Sequence, residues 1–361
     1  MIDCSFRIFN QELLKKKFSN YVVGIDLGGT STNIAVAGIE DNKPFLLFSL
    51  DFRTKELESL IPAIQEALTY SKSNYDIDVK IACVGAAGVV SDTNKYAELT
   101  NVEWNVSTEE IINNTDLESI FIINDFQAIG YGINLLDTNN SEDILIVRDN
   151  NISNIFSTKA VIGAGTGFGK SILHYDENTK AHIPISSEGG HSDFPSQNSF
   201  EIELIEHIKN KNSSSEPLYY EELLSGRGIE NIYYFLKESG RFEETGYSNE
   251  IDASNEKSIL ISNYKLVDPL CKETFRLFTR FYGRCAKNFA LDSLATGGIY
   301  IAGGIASKNK EIFMTSDFFE EFENSSQRRD ILKEIPIYVI LKYDVSLYGA
   351  CFAAMCHSQK R

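Results

Sequence analysis

Short apolar runs separated by glycine-rich or polar turns set the pattern of the first half of the chain. Two β-branched runs, at 21–27 and 34–39, flank a turn of glycine and hydroxyl residues, which predicts an antiparallel hairpin. A third run at 45–50 extends the hairpin to a three-stranded meander. The elements predicted next are a helix at 57–70, a strand at 79–85, a strand at 121–123 and a helix at 126–136. This order of strands and helices predicts an α/β lobe.

Helical spacing dominates the second half of the chain. The predicted helices lie at 200–209, 219–224, 229–238, 267–294, 310–322 and about 346–355. The predicted strands lie at 159–163, 171–175, 299–302 and 337–341. Two polar stretches interrupt this pattern. We interpret residues 137–154 as a connection between lobes and residues 239–263 as a surface insertion.

The length of the chain, 361 residues, favours two lobes over one hydrophobic core. We expect a small α/β lobe of residues 1–135 and 344–361, in which residues 1–20 are an N-terminal extension that forms a short amphipathic helix. The large α/β lobe is expected to comprise residues 136–343, with the polar insertion at about 239–263.

Composition and charge argue against several classes of function. No apolar run reaches the roughly 18 residues that a membrane span needs. A net charge of −17 opposes broad binding to nucleic acid or to an anionic membrane, because both need a basic surface. The N-terminal residues lack the uninterrupted apolar segment of a signal peptide, so a cytoplasmic protein is expected. The six cysteines contain no C-x-x-C pair and are interpreted as reduced core residues.

The turn of the first hairpin carries the first candidate chemistry. Asp26 stands where the first strand ends, and a carboxylate at that point can hold a divalent cation. Gly28 and Gly29 have no Cβ, so their N–H groups can approach an anion closely, and Thr30 adds a hydroxyl group. This combination suits the phosphates of a metal-bound nucleotide. The alternative, on these residues by themselves, is an ordinary glycine-rich hairpin.

A second glycine-rich turn resembles a P-loop. Residues 164–171, AGTGFGKS, end in the Lys-Ser pair of that motif, but an alanine replaces its first glycine. A P-loop also requires the Lys-Ser pair to open a helix, whereas the residues that follow alternate like a strand and a hairpin. A second phosphate-binding hairpin built on Gly165, Thr166 and Gly167 is therefore favoured.

Six short motifs follow one another along the chain. They are DLGGT at 26–30, INDF at 123–126, GAGTGFG at 163–169, EGGH at 188–191, LSGRG at 224–228 with Glu221 shortly before it, and AGG at 302–304. In this order the motifs resemble the bacterial-type glucokinase family, within the sugar kinase, heat-shock ATPase and actin superfamily. The resemblance covers residues 21 to about 355. It implies an α/β, two-lobed actin-like ATPase (ribonuclease H-like) fold, in which each lobe is a mixed sheet flanked by helices and a cleft separates the lobes.

The same resemblance implies ATP-dependent phosphorylation of glucose to glucose 6-phosphate, with Asp125 as the general base. Phosphoryl transfer needs a base that accepts the proton of the sugar hydroxyl. Asp125 follows a buried strand, at the sheet edge where ligands of α/β folds bind. The alternative is that Asn124 and Asp125 only cap the helix that follows them.

The positions that match the family's sugar-binding residues are Asn124, Asp125, Glu188, His191 and Glu221. Carboxylates suit this task because they accept hydrogen bonds from several hydroxyl groups. The two glycines between Glu188 and His191 allow both side chains to face one ligand. For Glu221 the alternative is the preference of acidic residues for the start of a helix.

The resemblance also implies ATP and Mg²⁺ as cofactors. The groups expected along the nucleotide phosphates are Gly28, Gly29, Thr30, Gly165, Thr166 and Gly167, with Gly303 and Gly304 under the adenosine. Asp26 is expected to position Mg²⁺ through water, because this ion tends to keep part of its hydration shell.

Other functions stay open from the sequence. A kinase of another hexose, such as mannose, fructose or an N-acetylhexosamine, would use the same motifs. A non-catalytic sugar sensor would keep the fold without turnover. A homodimer is expected because homodimers are common in the resembling family. Arg227 departs from the family pattern, because it stands where a proline is expected.

Overall fold

The chain divides into two units in a computed structural model, which describes residues 3–99, 102–150 and 154–358. The first unit contains the described residues up to 137, residues 175–186 and residues from 342 onward, and the second unit contains the rest. Residues 175–186 were assigned to the large lobe from the sequence. The structure groups them with the first unit, where the Asn134 side chain exchanges hydrogen bonds of 2.8 and 2.9 Å with the backbone of His182.

Strands and helices alternate as the sequence pattern indicates. The strands are β1 (Ser5–Ile8), β2 (Asn20–Leu27), β3 (Ser31–Glu40), β4 (Lys43–Arg53), β5 (Ile81–Ala86), β6 (Gly88–Val90), β7 (Tyr96–Leu99), β8 (Val106–Ser107), β9 (Ser119–Asn124), β10 (Ile144–Arg148), β11 (Lys159–Ala164), β12 (Phe168–Asp176), β13 (Ala181–Ile185), β14 (Ile299–Ala302) and β15 (Ile337–Ile340). The α-helices are α1 (Ile61–Tyr75), α2 (Thr108–Asn114), α3 (Asp125–Gly132), α4 (Ser199–Lys211), α5 (Gly226–Glu238), α6 (Gly246–Ala253), α7 (Lys257–Tyr264), α8 (Pro269–Ser293), α9 (Gly304–Lys308), α10 (Ser316–Phe322), α11 (Arg329–Glu334) and α12 (Val345–Ser358). Within the described parts of the chain, no helix combines the length and the apolarity that a membrane span requires.

The first unit contains a six-stranded mixed sheet with the order β1-β4-β3-β2-β5-β9. β2, β3 and β4 form the predicted antiparallel meander, and β5 and β9 continue the sheet in parallel with β2. α12 packs on this sheet and against α3. The two helices approach closely at Gly349, where an added Cβ would collide with the carbonyl oxygen of Ala128.

In the second unit the strand order is β10-β15-β14-β11-β12. β11, β14 and β15 run parallel, while β10 and β12 are antiparallel to their neighbours. The long helix α8 is largely buried between other helices and the sheet. Its buried residue Arg284 forms hydrogen-bonded ion pairs with Glu201 on α4 and Glu321 on α10. These three charges fasten three helices to one another inside the hydrophobic core.

The N-terminal extension contains the strand β1 and a single 3₁₀ turn, Leu13–Lys15, so the prediction of an amphipathic helix was wrong. β1 pairs antiparallel with β4, and Ser5 lies opposite Asp51. The ring of Phe6 lies 5.6 Å from that of Phe48 and 4.7 Å from that of Tyr70. The open edge of β4 and these aromatic contacts decide the conformation, and neither is visible in a local pattern.

Both polar stretches contain regular structure that the prediction missed. Residues 137–154 include β10, four apolar residues followed by Arg148, which pairs with β15. Residues 239–263 include α6 and most of α7, which bury Ile251 and Ile261 in the core. Helices of eight residues are too short to give a clear periodic signal. The helix predicted at 219–224 is instead a single 3₁₀ turn, Tyr220–Glu222.

Candidate functional site

The first glycine turn follows β2 and is held by Thr54. The Thr54 hydroxyl donates to the carbonyl oxygen of Gly28 at 2.7 Å, and its backbone N–H donates to that of Thr30 at 3.0 Å. The N–H of Gly28 donates to the carbonyl oxygen of Ser31 at 3.0 Å. These bonds fix the turn at the end of the strand that carries Asp26.

The Asp26 carboxylate accepts a 2.7 Å hydrogen bond from the hydroxyl of Ser346, at the start of α12. Burial raises the pKa of Asp26, the hydrogen bond from Ser346 opposes this change, and the nearby charge of Asp344 reinforces it. The result is a pKa above the ordinary value of an aspartate. An anionic Asp26 is therefore costly by itself and favours a neighbouring cation.

Three parallel strands of the first unit end at the same edge of its sheet. Leu27 lies opposite Ala86, and Ala86 lies opposite Asn124. The strands that carry Asp26 and Asn124 are thus two strand spacings apart, roughly 10 Å. The topology places Asp26, the Gly28–Thr30 turn, Asn124 and Asp125 at one edge of the sheet.

Asn124 caps α3 in a complete capping box. Its side-chain oxygen accepts from the N–H of Phe126 at 2.8 Å, and its own N–H donates to Gln127 Oε1 at 3.1 Å. The capping role considered from the sequence is therefore present for Asn124. Asp125 is the first residue of the helix, is half-buried, and accepts a 2.9 Å hydrogen bond from the N–H of Phe126 through Oδ1.

The second glycine turn lies between antiparallel strands β11 and β12. The N–H of Gly165 donates to the carbonyl oxygen of Gly167 at 2.8 Å, and Thr166 is exposed at the tip. Lys170 lies within β12 and does not open a helix. The rejection of the P-loop and the prediction of a hairpin are therefore confirmed.

Gly303 and Gly304 lie beside this hairpin. β11 and β14 pair in parallel, with Gly163 opposite Ala302. Gly303 has a φ of +93°, and a Cβ there would collide with the backbone of Ala164. Only a glycine allows this approach without strain. The second unit therefore brings Gly165, Thr166, Gly167, Gly303 and Gly304 to one edge of its sheet.

Glu188 precedes a single 3₁₀ turn, Gly189–His191, and the side chains of Glu188 and His191 are both exposed. His191 Nδ1 lies 3.5 Å from Glu188 Oε2. The turn packs on the backbone of β12, since a Cβ at Gly190 would collide with the carbonyl oxygen of Phe168. The two candidate sugar ligands thus project from a turn that is seated directly on the strand of the second hairpin.

Glu221 contacts the same hairpin. Its Oε2 accepts a 3.0 Å hydrogen bond from the N–H of Phe168, and its Oε1 lies 3.3 Å from Nη2 of Arg227. A Cβ at Gly167 would come within 2.7 Å of Oε2. In the structure this carboxylate therefore supports the hairpin and pairs with Arg227.

Sequence reasoning missed four contributors to these sites: Thr54, Ser346, Arg227 as a partner of Glu221, and Lys170 beneath Gly189. Each acts across a gap in sequence, such as the 320 residues between Asp26 and Ser346. The signal for Lys170 was its place in the P-loop-like segment, and that signal was set aside with the P-loop.

A metal ion bound to this protein would have few protein ligands. Among the described residues no group of three or more His, Cys, Asp or Glu side chains is arranged to hold a metal ion. Mg²⁺ usually binds through one or two carboxylates, substrate phosphates and waters, so Asp26 fits that mode. All six cysteines are free thiols, and five of them are buried, in agreement with the interpretation as core residues.

Comparisons with known proteins point in one direction. A family model described as glucokinase matches residues 23–357. A relative named glucokinase from Nostoc punctiforme is 33% identical over 344 residues, which cover 91% of this chain and 97% of that protein.

Two solved structures are similar in fold. The crystal structure of glucokinase from an Antarctic psychrotroph superimposes with a TM-score of 0.76 at 24% identity, covering 93% of this chain and 98% of that one. That of glucokinase from Balamuthia mandrillaris in complex with glucose gives a TM-score of 0.75 at 20% identity, covering 98% of this chain and 100% of that one. These matches agree with the α/β, actin-like sugar kinase fold expected from the motifs.

Proposed function

The chain belongs to the glucokinase family and is a glucose-phosphorylating kinase that uses ATP, and we propose that Asp125 is its general base for phosphoryl transfer to the 6-hydroxyl of glucose. The main support for this activity is the family match over nearly the whole chain. The proposal for Asp125 is supported by its position as the first residue of α3, directly after β9. A carboxylate there is held by backbone at the ligand-binding edge of a parallel sheet.

Asp125 would accept the proton of the attacking hydroxyl while the γ-phosphoryl group is transferred. The transition state needs a nucleophile held in line, and proton removal contributes a further part of the rate. The hydrogen bond from the N–H of Phe126 holds one oxygen of the carboxylate.

Asn124, Glu188, His191 and Glu221 are proposed to bind the sugar. The exposed Glu188 and His191 side chains lie close enough to contact neighbouring hydroxyl groups of one ring. Glu221 can bind the sugar only if its Oε1 gives up the contact with Arg227 and accepts a hydrogen bond from the sugar instead. The 3.3 Å separation of Glu221 and Arg227, with Arg227 half-exposed, is compatible with such an exchange.

Backbone groups of both glycine turns are proposed to bind the phosphates of ATP, and Gly303 and Gly304 to lie under the adenosine. Mg²⁺ is proposed to be positioned by Asp26, where it would neutralise phosphate charge. The raised pKa of Asp26 supports this assignment, because a buried carboxylate gains most from a nearby cation. Ser346 would hold one oxygen of Asp26 in place.

The remaining assignments are a cytoplasmic location, a role in glycolysis and a homodimer. We propose them on the family resemblance alone. Sedimentation analysis tests the homodimer directly, because the chain mass is 40.5 kDa and a dimer has twice that mass.

An assay of ATP and Mg²⁺ with a panel of hexoses, coupled to ADP formation, tests the proposal. Asp125→Asn is expected to lower kcat by about 10²–10⁴-fold with little change in the KM for glucose. Asp116→Asn, an exposed aspartate before β9, is the matched control and should keep normal turnover.

Near-normal turnover in Asp125→Asn would remove Asp125 from its role. Faster turnover on mannose, fructose or an N-acetylhexosamine than on glucose would change the substrate. Sugar binding by calorimetry without turnover would identify a sensor.

A further inference from the structure

Lys170 is a buried cation that the proposed reaction does not use. It lies on β12 with only 5% of its surface exposed. Among the described residues, no carboxylate forms an ion pair with it. An ammonium group removed from water without an anionic partner is costly to bury, so its surroundings must compensate in another way.

Three aromatic rings surround this ammonium, which also forms a hydrogen bond with the buried thiol of Cys285. Its Nζ lies 4.2 Å from the ring centroid of Tyr220, 5.4 Å from that of Phe289 and 5.9 Å from that of Phe168. The negative face of an aromatic ring attracts a cation, and the attraction is stronger where water is excluded. The closest ring belongs to Tyr220, whose hydroxyl is in turn held by Asn288 at 2.9 Å.

The ammonium also lies directly beneath the turn that joins Glu188 to His191. A Cβ at Gly189 would come within 2.9 Å of Lys170 Cδ and 3.6 Å of Nζ. A larger residue at position 189 would therefore displace either the lysine or the turn. The lysine stem supports the turn from below.

Through these contacts one side chain reaches three segments of the candidate site. Gly189 lies in the turn of Glu188 and His191, Tyr220 immediately precedes Glu221, and Phe168 immediately follows the second glycine turn. The nearest contacts are those to Gly189 and Tyr220, on the two segments assigned to the sugar.

We infer that Lys170 is a positioning residue of the sugar site: its ammonium, held by Tyr220 and Phe289, fixes the Glu188–His191 turn and the turn of Glu221 in one arrangement. This inference rests on the proposed function for its effect on sugar binding. The local order of the two turns does not depend on that function.

The test compares Lys170→Met with Lys159→Met. Methionine keeps much of the stem and removes the charge. Lys159 is the matched control, because it begins β11 at the end away from the hairpin and lies 5.4 Å from the ring of Tyr300. Measurements are hydrogen exchange of residues 187–192 and 219–222, the Kd for glucose by calorimetry, and the KM values for glucose and ATP.

For Lys170→Met we expect faster exchange in both turns and a Kd and KM for glucose raised about tenfold, with the KM for ATP within about twofold of normal. Lys170→Arg, which keeps the charge, should restore most of the affinity. Lys159→Met should leave exchange in these turns and both KM values unchanged. A general loss of packing would instead raise both KM values together.

Unchanged exchange and unchanged glucose affinity in a folded Lys170→Met protein would overturn the inference. If Lys170→Met does not fold, Tyr220→Leu removes the closest ring and Tyr220→Phe keeps it, so only the leucine variant should loosen the turns. Faster exchange in a chain that phosphorylates no hexose would leave the positioning role intact and reject the proposed function.

Discussion

At the scale of single residues, Thr54 shows how a side chain outside every motif can shape the first glycine turn. Its hydroxyl and its N–H bind two carbonyl groups of the Gly28–Thr30 turn, and the hydroxyl also lies 2.9 Å from that of Thr32. Thr54 is almost fully buried. Without the hydroxyl, the carbonyl oxygen of Gly28 loses a donor that water cannot easily replace.

Thr54→Val should therefore raise the KM for ATP roughly fivefold, equivalent to the loss of about 1 kcal/mol from one hydrogen bond. The volume is nearly conserved, so the protein should still fold. Thr54→Ser keeps the hydroxyl and should stay close to normal. Steady-state kinetics with ATP varied at saturating glucose gives the comparison. A normal KM for ATP in Thr54→Val would show that the hydroxyl does not support the turn.

The sequence predicted the groups that stand in motifs and missed the groups that support them. Asp26, Asp125 and the glycines of both turns were proposed as site residues because each lies where a strand ends. Thr54, Ser346 and Lys170 were not recognised as support, because their partners are distant in sequence. Glu221 was assigned to the sugar by motif, yet its hydrogen bond to Phe168 became visible only with the strand pairing in place.

At the scale of elements, the close packing of α3 and α12 holds the start of α3 against the sheet. Gly349 makes this possible, because any Cβ there would collide with the carbonyl oxygen of Ala128. Asp125 is the first residue of the same α3 helix. A shift of α3 would therefore move the proposed base.

Gly349→Ala should destabilise the protein by about 2 kcal/mol or more, since backbone atoms on both helices must move to accept the methyl group. Turnover should fall as well. Gly246→Ala is the control, because nothing lies within 4 Å of a Cβ at that helical position. It should be neutral or slightly stabilising. Chemical denaturation measures both effects, and equal stability of the two variants would show that α3 and α12 can separate without cost.

Long elements were predicted better than short ones. The sequence placed α8 within two residues of its observed limits and identified the meander of β2, β3 and β4. It missed α6 and α7, whose eight residues span little more than two turns each. It also missed β1, whose conformation depends on the edge of β4 that it covers.

At the scale of the whole molecule, the six motifs identified the family correctly, and the family model matches residues 23–357. Motif order is a property of the whole chain and survives errors in individual elements. The buried charges of the second unit could not be predicted in this way. Glu201, Arg284 and Glu321 are far apart in sequence, and nothing local distinguishes them from exposed charges.

This network makes the stability of the protein depend on pH. Burial by itself would raise the pKa of Glu321, but hydrogen bonds from Arg284 and Arg280 outweigh it and hold the pKa below the ordinary value. A carboxylate with a lowered pKa in the folded state contributes stability above its unfolded pKa of about 4.3. That contribution is lost as the pH falls through the lower pKa of the folded state.

Glu321→Gln should lower the free energy of unfolding at pH 7 by about 3–5 kcal/mol, because it leaves Arg284 buried with a weaker set of partners. The difference from the unaltered protein should shrink below about pH 4.3, where the carboxylate becomes protonated in the unfolded chain but is still charged in the folded protein. Glu320→Gln, at the exposed neighbouring position, should show neither effect. Denaturant unfolding between pH 3 and pH 8 measures all three proteins. A constant difference across that range would mean that the packing of Glu321, and not its charge, stabilises the second unit.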